Sequence, residues 1–353
     1  MRKLFLLGLT TLSVCVSCTQ GGIAYKQPVF PVEEQARFIL LTGELDYGVI
    51  EDIWETESYI VTLASEKRTH NFCHIYDKHT GELLGETFHR GRGPGEIMAG
   101  YGTFEVHNGT VRYFDFTKNS VFRFSVDSLL QQGSGAVEEL KGDFLYGQRY
   151  RGTTGNYDVH LFIASGAEGD DAIREPRLKV TDKSGSVVSE NDNYPEENQL
   201  ANYANTYYVS LSPDGTKCAI VPCWSAVLEL YDVPGLQPRH IGYFAGQEYE
   251  CPTGNIKMTE KTVLHYADIY ATDKSVYLAS GGEVPVLVNQ SLPEEERKLL
   301  CDKIDIFNWK GRALRRIVTD YRIRKLCVDA GGKHVYAIVQ DRMGTSYLAY
   351  LEL

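Results

Sequence analysis

This chain lacks most of the sequence marks that announce chemistry. It has no paired CxxC, so a zinc knuckle of that kind is excluded. It has no HExxH, and His70, His74 and His79 divide between the flanks of a strand and a turn, so no metal set is expected. No GxSxG elbow is present, which removes hydrolases with that nucleophile. The glycine-rich stretch Gly91–Glu96 has no GK[ST] ending, and Glu96 stands where a GxGxxG needs its last glycine, so neither nucleotide loop is present. The acidic, Gly- and Asn-rich stretches 166–175 and 191–198 lack the ligand order of an EF-hand. No cofactor and no metal site are expected.

Positive charge is also in short supply. Lys and Arg number 36 against 47 Asp and Glu, a net charge of −11. A nucleic-acid backbone needs clustered Lys and Arg, so that class of partner is excluded. The denser basic patches, Arg312–Arg316 and Arg322–Lys325, read as solvated strand edges.

Long apolar runs are absent except at the start. Arg2 and Lys3 precede Leu4–Val16, which reads as a secretory signal and falls short of the roughly 20 residues of a membrane span. The run ends Cys15-Val16-Ser17-Cys18. A small residue directly before cysteine resembles the bacterial lipobox, although Cys15 is an unusual residue three before the cleavage point. Cleavage after Ser17 and lipidation of Cys18 are expected, with simple secretion as the alternative. The division is then a signal peptide over 1–17, a tether over 18–28 and one domain over 29–353. The expected address is the cell envelope, anchored at the outer membrane through Cys18. An exported chain permits disulfides. Cys73, Cys218 and Cys327 lie in apolar strands and read as buried thiols. The pairing of these with Cys223, Cys251 and Cys301 is left open by spacing.

What the chain does have is a recurring unit. Phe72–Asp77 alternates faces with period two, Asp77–Gly81 is a polar turn, and Glu82–Phe88 returns as a second strand. The pattern recurs at Val121–Leu130, Arg177–Glu190, Val227–Gly242 and Lys303–Ile317. A turn followed by an apolar strand precedes each: His107–Thr110, Ser212–Gly215, Thr272–Lys274, and again at Ala330–Lys333. Together these make four antiparallel strands per repeat at roughly 40–70-residue intervals, the signature of a propeller. The fold class is therefore all-β, a six-bladed β-propeller, with a seventh unit hidden in the long third or fifth repeat as the alternative.

The blades fall at about Gly48–Glu86, Gly102–Leu130, Phe144–Glu190, Ala204–Phe244, His265–Asp320 and Arg322–Leu353. The last offers only three strands. The surplus strand Ala36–Thr42 should complete it and remove two open edges. Ser291-Leu-Pro-Glu294 reads as a capping box opening a short helix over 291–302, after a strand Val284–Asn289.

The loop Gly91-Arg92-Gly93-Pro94-Gly95-Glu96 and the turn Ser212-Pro213-Asp214-Gly215 carry a resemblance. Over roughly Ile23–Leu353 the chain resembles the six-bladed, TolB-like β-propeller lipoproteins common in Bacteroidetes. The resemblance implies the fold and lipidation, and little chemistry. The chain lacks the N-terminal α/β domain of TolB, so TolB's role with Pal is not implied here.

The candidate ligand site is His89, Arg90, Arg92 and Glu96. Consecutive loop amides can form an anion nest, and arginine clasps carboxylates with two parallel bonds. The plainer reading is a chain crossing between blades, with Arg92 or Glu96 in a structural ion pair. Tyr203, Tyr207 and Tyr208 suit sugar stacking, though tyrosine also simply favours strands. Two functions compete. One is a non-catalytic binding or scaffold module for an envelope protein, or for a small anionic or carbohydrate ligand. The other is a glycan-active hydrolase or lyase with carboxylates meeting at the axis. Converging acidic side chains there favour the enzyme; a plugged axis favours the binder.

Overall fold

The computed structural model describes residues 28–66, 71–98, 102–107, 109–142, 148–153, 156–162, 177–191, 207–243 and 258–353. It is a ring of six sheets. Blade one is β3 (Tyr47–Glu55), β4 (Tyr59–Glu66), β5 (Asn71–Asp77) and β6 (Leu83–His89). Blade two is β7 (Gly102–His107), β8 (Thr110–Asp115), β9 (Ser120–Ser125) and β10 (Glu138–Lys141). Blade three is β11 (Gln148–Thr153), β12 (Tyr157–Phe162), β13 (Leu178–Asp182) and β14 (Val187–Asn191). Blade four is β15 (Tyr207–Leu211), β16 (Lys217–Pro222), β17 (Val227–Asp232) and β18 (Gln237–Tyr243). Blade five is β19 (Tyr266–Ala271), β20 (Ser275–Ser280), β21 (Lys303–Asn308) and β22 (Ala313–Val318). Blade six has β23 (Arg322–Val328), β24 (His334–Gln340) and β25 (Ser346–Glu352). The first strand of each blade lies innermost, and each packs on the first strand of the next until β23 meets β3.

The recurring turn has one physical cause. Asp77 Oδ1 accepts the His79 and Thr80 amides at 2.9 and 2.8 Å, and Gly81 follows at φ +70°. Asp182 and Asn308 receive amides in the same way at the corresponding turns of blades three and five, and Asp329 and Asp341 do so at the two other turns of blade six. A short side-chain acceptor folds the chain back, and glycine takes the left-handed position without a Cβ clash.

The middle strands are covered on both faces. β5, β17, β21 and β24 are buried at nearly every position, because each blade packs between two neighbours. Separate apolar cores join blades one and two, three and four, four and five, five and six, and six and one. Cys73, Cys218, Cys223, Cys301 and Cys327 are buried free thiols within these cores; Cys251 lies outside the described residues. Among the described residues no helix is long and apolar enough to cross a membrane.

The N-terminal segment closes the ring, and does so twice. β2 (Ile39–Leu40) pairs antiparallel with β25 and completes blade six. Before it, β1 (Glu33–Gln35) runs parallel to β22 and gives blade five a fifth strand that the sequence pattern did not reveal.

Two further expectations change. Blade two does not return directly after β9. Ser125 caps a helix, α1 (Val126–Gln132), by accepting the Ser128 amide, and the outer strand is β10. In blade five the stretch read as a strand, Val284–Asn289, mostly forms helix α2 (Val286–Ser291), and only a single 3₁₀ turn, Glu294–Glu296, lies in the expected 291–302 helix. Ser291 ends α2 and donates its hydroxyl to the Val288 carbonyl, so it caps nothing. The Asn289 side chain instead ties α2 to the next segment through the Lys298 carbonyl and amide.

Candidate functional site

Strand direction sorts the loops onto two faces. Each outer strand hands the chain to the next inner strand across one face, called the crossover face. The short turns Thr56–Ser58 and Lys78–Glu82, and their equivalents, lie on the opposite face. The stretch His89–Glu96 connects β6 to β7, so it sits on the crossover face.

There the loop folds upon itself. Gly91 N–H donates to the Ile97 carbonyl and Ile97 N–H to the His89 carbonyl, both at 2.9 Å. Glu96 turns its carboxylate inward onto the Gly93 amide at 2.7 Å. A Cβ on Gly91 would meet Glu96 Oε2 at 2.0 Å, so glycine is required by that carboxylate. The Gly95 amide donates to Glu139 Oε2 at 2.9 Å, and Lys118 Nζ binds the Gly93 and Glu96 carbonyls and the other Glu139 oxygen. The protein's own carboxylates thus occupy the Gly93 and Gly95 amides. His89, Arg90 and Arg92 point outward and are exposed. The structure brings Glu96 into the loop's interior and leaves the two arginines on its rim.

A denser polar group lies at the axis. Glu51 and Asp52 on β3, Asp268 on β19 and Lys325 on β23 converge there from blades one, five and six. Lys325 Nζ is 3.1 Å from Asp268 Oδ1, and Asp268 Oδ2 accepts the Leu326 amide at 2.8 Å. Lys325 also stands 4.6 Å over the Tyr208 ring, from blade four. Burial raises the Asp52 carboxyl to about 7; Lys325 draws it down and Asp268 pushes it up. Burial likewise raises Glu51 and Asp268, with Lys325 opposing in both cases. Beneath this level the Trp54 indole reaches Tyr270, centroids 6.1 Å apart. Blades one and five are not neighbours, so that contact passes on the axial side of blade six.

A third feature is a cleft of about 450 Å³ on the crossover face between blades five and six, bordered by Gly281–Val284, Glu296–Lys303 and Arg342. Its walls carry both charges in balance; Lys303, for instance, pairs with Glu283.

The remaining sequence candidates are engaged elsewhere. Tyr207 packs on the Arg177 guanidinium, centroid distance 5.4 Å, and Tyr203 lies outside the described residues. His74 is buried in β5 with Glu86 3.4 Å away. The basic patches are not the solvated strand edges expected: β22 is covered by β1, Arg316 binds the buried Asp305 with two nitrogens, Arg315 pairs with Glu34, and Lys325 is enclosed against Asp268. The stretch 166–175, most of 191–198, Cys18 and the tether lie outside the described residues. Among the described residues no three His, Cys, Asp or Glu side chains are placed to hold a metal.

The family described as TolB-like 6-blade propeller-like matches residues 52–331. The chain belongs to that family. No curated protein matches it. Among solved structures, a Bacteroides fragilis protein described as exported aligns over 91% of this chain and 98% of its own, at TM-score 0.53 and 12% identity. A computationally designed protein, Ika8, aligns over 88% and 98% of the two chains at TM-score 0.42 and 11% identity. KlHsv2 with loop 6CD replaced by a Gly-Ser linker aligns over 87% and 85% at TM-score 0.42 and 9% identity. At these identities the likeness to the Bacteroides fragilis protein is one of fold.

Sequence reasoning missed the axial group because its members stand far apart in the chain. Arg322–Lys325 was visible only as a basic patch. The usable signal was position: each residue falls on the first strand of its repeat, which a propeller places at the axis.

Proposed function

We propose that this TolB-like propeller is a lipid-anchored envelope protein that binds a ligand or partner on its crossover face without catalysing a reaction. The observation that carries this reading is the Trp54–Tyr270 contact, which places two rings across the inner side of blade six, as a floor to an axial funnel would. That funnel opens on the face whose rim holds the exposed Arg90 and Arg92. The ligand class that fits is a small anionic or carbohydrate molecule, or an acidic segment of an envelope protein.

The anchor geometry agrees. β1 runs parallel to β22, toward the crossover face, so the chain before Glu33 heads for the opposite face. Phe30 confirms that direction by packing edge-on against Phe307, near the far end of β21. A lipid on Cys18 would therefore hold the binding face away from the bilayer. The exported Bacteroides fragilis neighbour is consistent with export of this chain.

A glycan-active enzyme is the second reading, favoured by one observation. Asp52 is raised to about 7 while Asp268 keeps a lysine partner, a division that suits an acid and a base. A glycan and envelope-protein screen separates the two. Binding without turnover, weakened in Arg90→Ala/Arg92→Ala and less so at high salt, supports the module. Turnover abolished by Asp52→Asn supports the enzyme. Ligands bound equally by wild type and the arginine double variant remove the loop from the site.

A further inference from the structure

We infer that Arg322 and Arg324 form an oxyanion clasp at the mouth of the axial funnel, built for the carboxylate or sulfate of a small ligand. This rests on the crossover face being the binding face. Both residues lie at the start of β23, where the innermost strand of blade six enters from that face. A bulge between Ile323 and Lys325 takes Arg324 out of the ladder with β24, and its guanidinium interacts electrostatically with Tyr208 on the innermost strand of blade four.

Neither arginine has an acidic partner among the described residues. The Arg322 Nε is buried and has no hydrogen-bond partner there. Arg324 donates only to the neutral Gln340 amide oxygen, at 2.8 Å. Burial and the adjacent Arg322 depress the Arg324 guanidinium, and only Tyr208 and Cys301 pull the other way. Two of the acidic groups on the surrounding elements are committed elsewhere. Asp268 holds Lys325 and the Leu326 amide, and Asp320 accepts the Phe38 amide.

Two neighbouring guanidinium groups without a counter-ion are costly for folding and repaid by an anion. Guanidinium groups bind carboxylates and sulfates through parallel, charge-assisted bonds. Below them, Asp52 and Glu51 are hydrogen-bond acceptors at the depth a ligand's hydroxyls would reach. A sugar acid or a sulfated sugar satisfies both levels, and a neutral sugar satisfies only the lower one.

The test uses glucuronate, a sulfated monosaccharide, inorganic sulfate and glucose as separate probes. Each is titrated at constant ionic strength into wild type, Arg324→Gln and Arg322→Gln/Arg324→Gln, with calorimetry and melting curves. Wild type should bind the three oxyanions saturably, and the double variant should lose about tenfold or more in affinity. Arg324→Gln should melt above wild type in low-anion buffer, because it removes an uncompensated cation. In wild type alone, the Arg322 Nε–H resonance should shift on titration, a readout independent of whether the variants fold.

Equal affinities in wild type and double variant would overturn the clasp. So would an unmoved Arg322 resonance, or an Arg324→Gln that melts lower. If neutral ligands or envelope proteins bind this face and no oxyanion does, the clasp falls and the binding module stands. If nothing in either screen binds, both fall.

Discussion

Trp54 meets Tyr270 edge-on along the axial side of blade six, their planes at 69°, although that blade separates the two that carry them. Trp54 also packs edge-on against Phe104 of blade two at 6.3 Å. One indole therefore touches side chains of two blades besides its own. Trp54→Ala should cost about 2–3 kcal/mol, less than a fully buried tryptophan because the ring is half-buried. Chemical denaturation of both proteins measures it; an unchanged midpoint would mean that the contact carries no stability.

The carboxyl above that contact sets a pH dependence. Burial holds Asp52 at about 7 when folded, with Lys325 opposing and Asp268 reinforcing. Unfolded, it titrates near 3.9. Between those values the folded state binds more protons, so this group's contribution is fully present below about pH 4 and is lost as pH rises through 7. Asp52→Asn should gain stability relative to wild type at pH 8 compared with pH 5. Denaturant midpoints at both pH values check this, and an identical difference at each would show an unraised carboxyl.

Ring closure depends on the N-terminal strap. Phe38 is buried between blades five and six, and its amide donates to Asp320 at 3.1 Å. Deleting Ala36–Thr42 removes β2 and the buried Phe38, and leaves β25 an open edge. The whole domain should unfold at a lower midpoint in one cooperative transition. Far-UV dichroism and tryptophan fluorescence should report the same curve; two separated transitions would mean that blade six alone depends on the strap.

The fold was legible because its causes are local. Asp or Asn followed by Gly marks the turns, and the strands between alternate with period two. The closing strand could be deduced from a count, since three strands at one end and a spare at the other fit together. Where local signals misled, a tertiary partner decided. Val284–Asn289 carries three β-branched valines and reads as strand, yet Val286 N–H donates to the Thr262 carbonyl and Asn289 is pinned to Lys298. The alternating residues Val121–Ser125 concealed α1, since Val121–Leu130 reads as strand, turn and return strand. β1 was missed because three polar residues, Glu33–Gln35, show no period. The glycine loop was legible as a motif and not as a geometry, since Glu139, which fills one of its amides, lies 44 residues beyond Gly95.

The proposed anchor rests on Ser17-Cys18. Cys18→Ala should leave the domain folded and soluble, since among the described residues the first ring contact is that of Phe30 with Phe307. Membrane fractionation with mass spectrometry of the N-terminal peptide reports the outcome. A variant still held in membranes by a covalent lipid would place the attachment elsewhere.

The largest single-residue effect is expected at Arg177. Its guanidinium, fully enclosed between blades three and four, grips Glu229 with two nitrogens at 2.8 and 2.5 Å. Tyr231 donates its hydroxyl to the same carboxylate at 2.5 Å. Burial works against the Arg177 charge, and Glu229 more than offsets it, leaving the guanidinium more firmly protonated than usual. Arg177→Ala strands a carboxylate in an apolar wall and should cost about 3–5 kcal/mol. Replacing both partners by apolar residues of similar volume, Arg177→Met with Glu229→Leu, should cost far less, because no charge is then left behind. A double-mutant cycle by chemical denaturation compares them. If the double variant is as unstable as Arg177→Ala, the loss comes from shape and packing around Tyr207 and not from the abandoned charge.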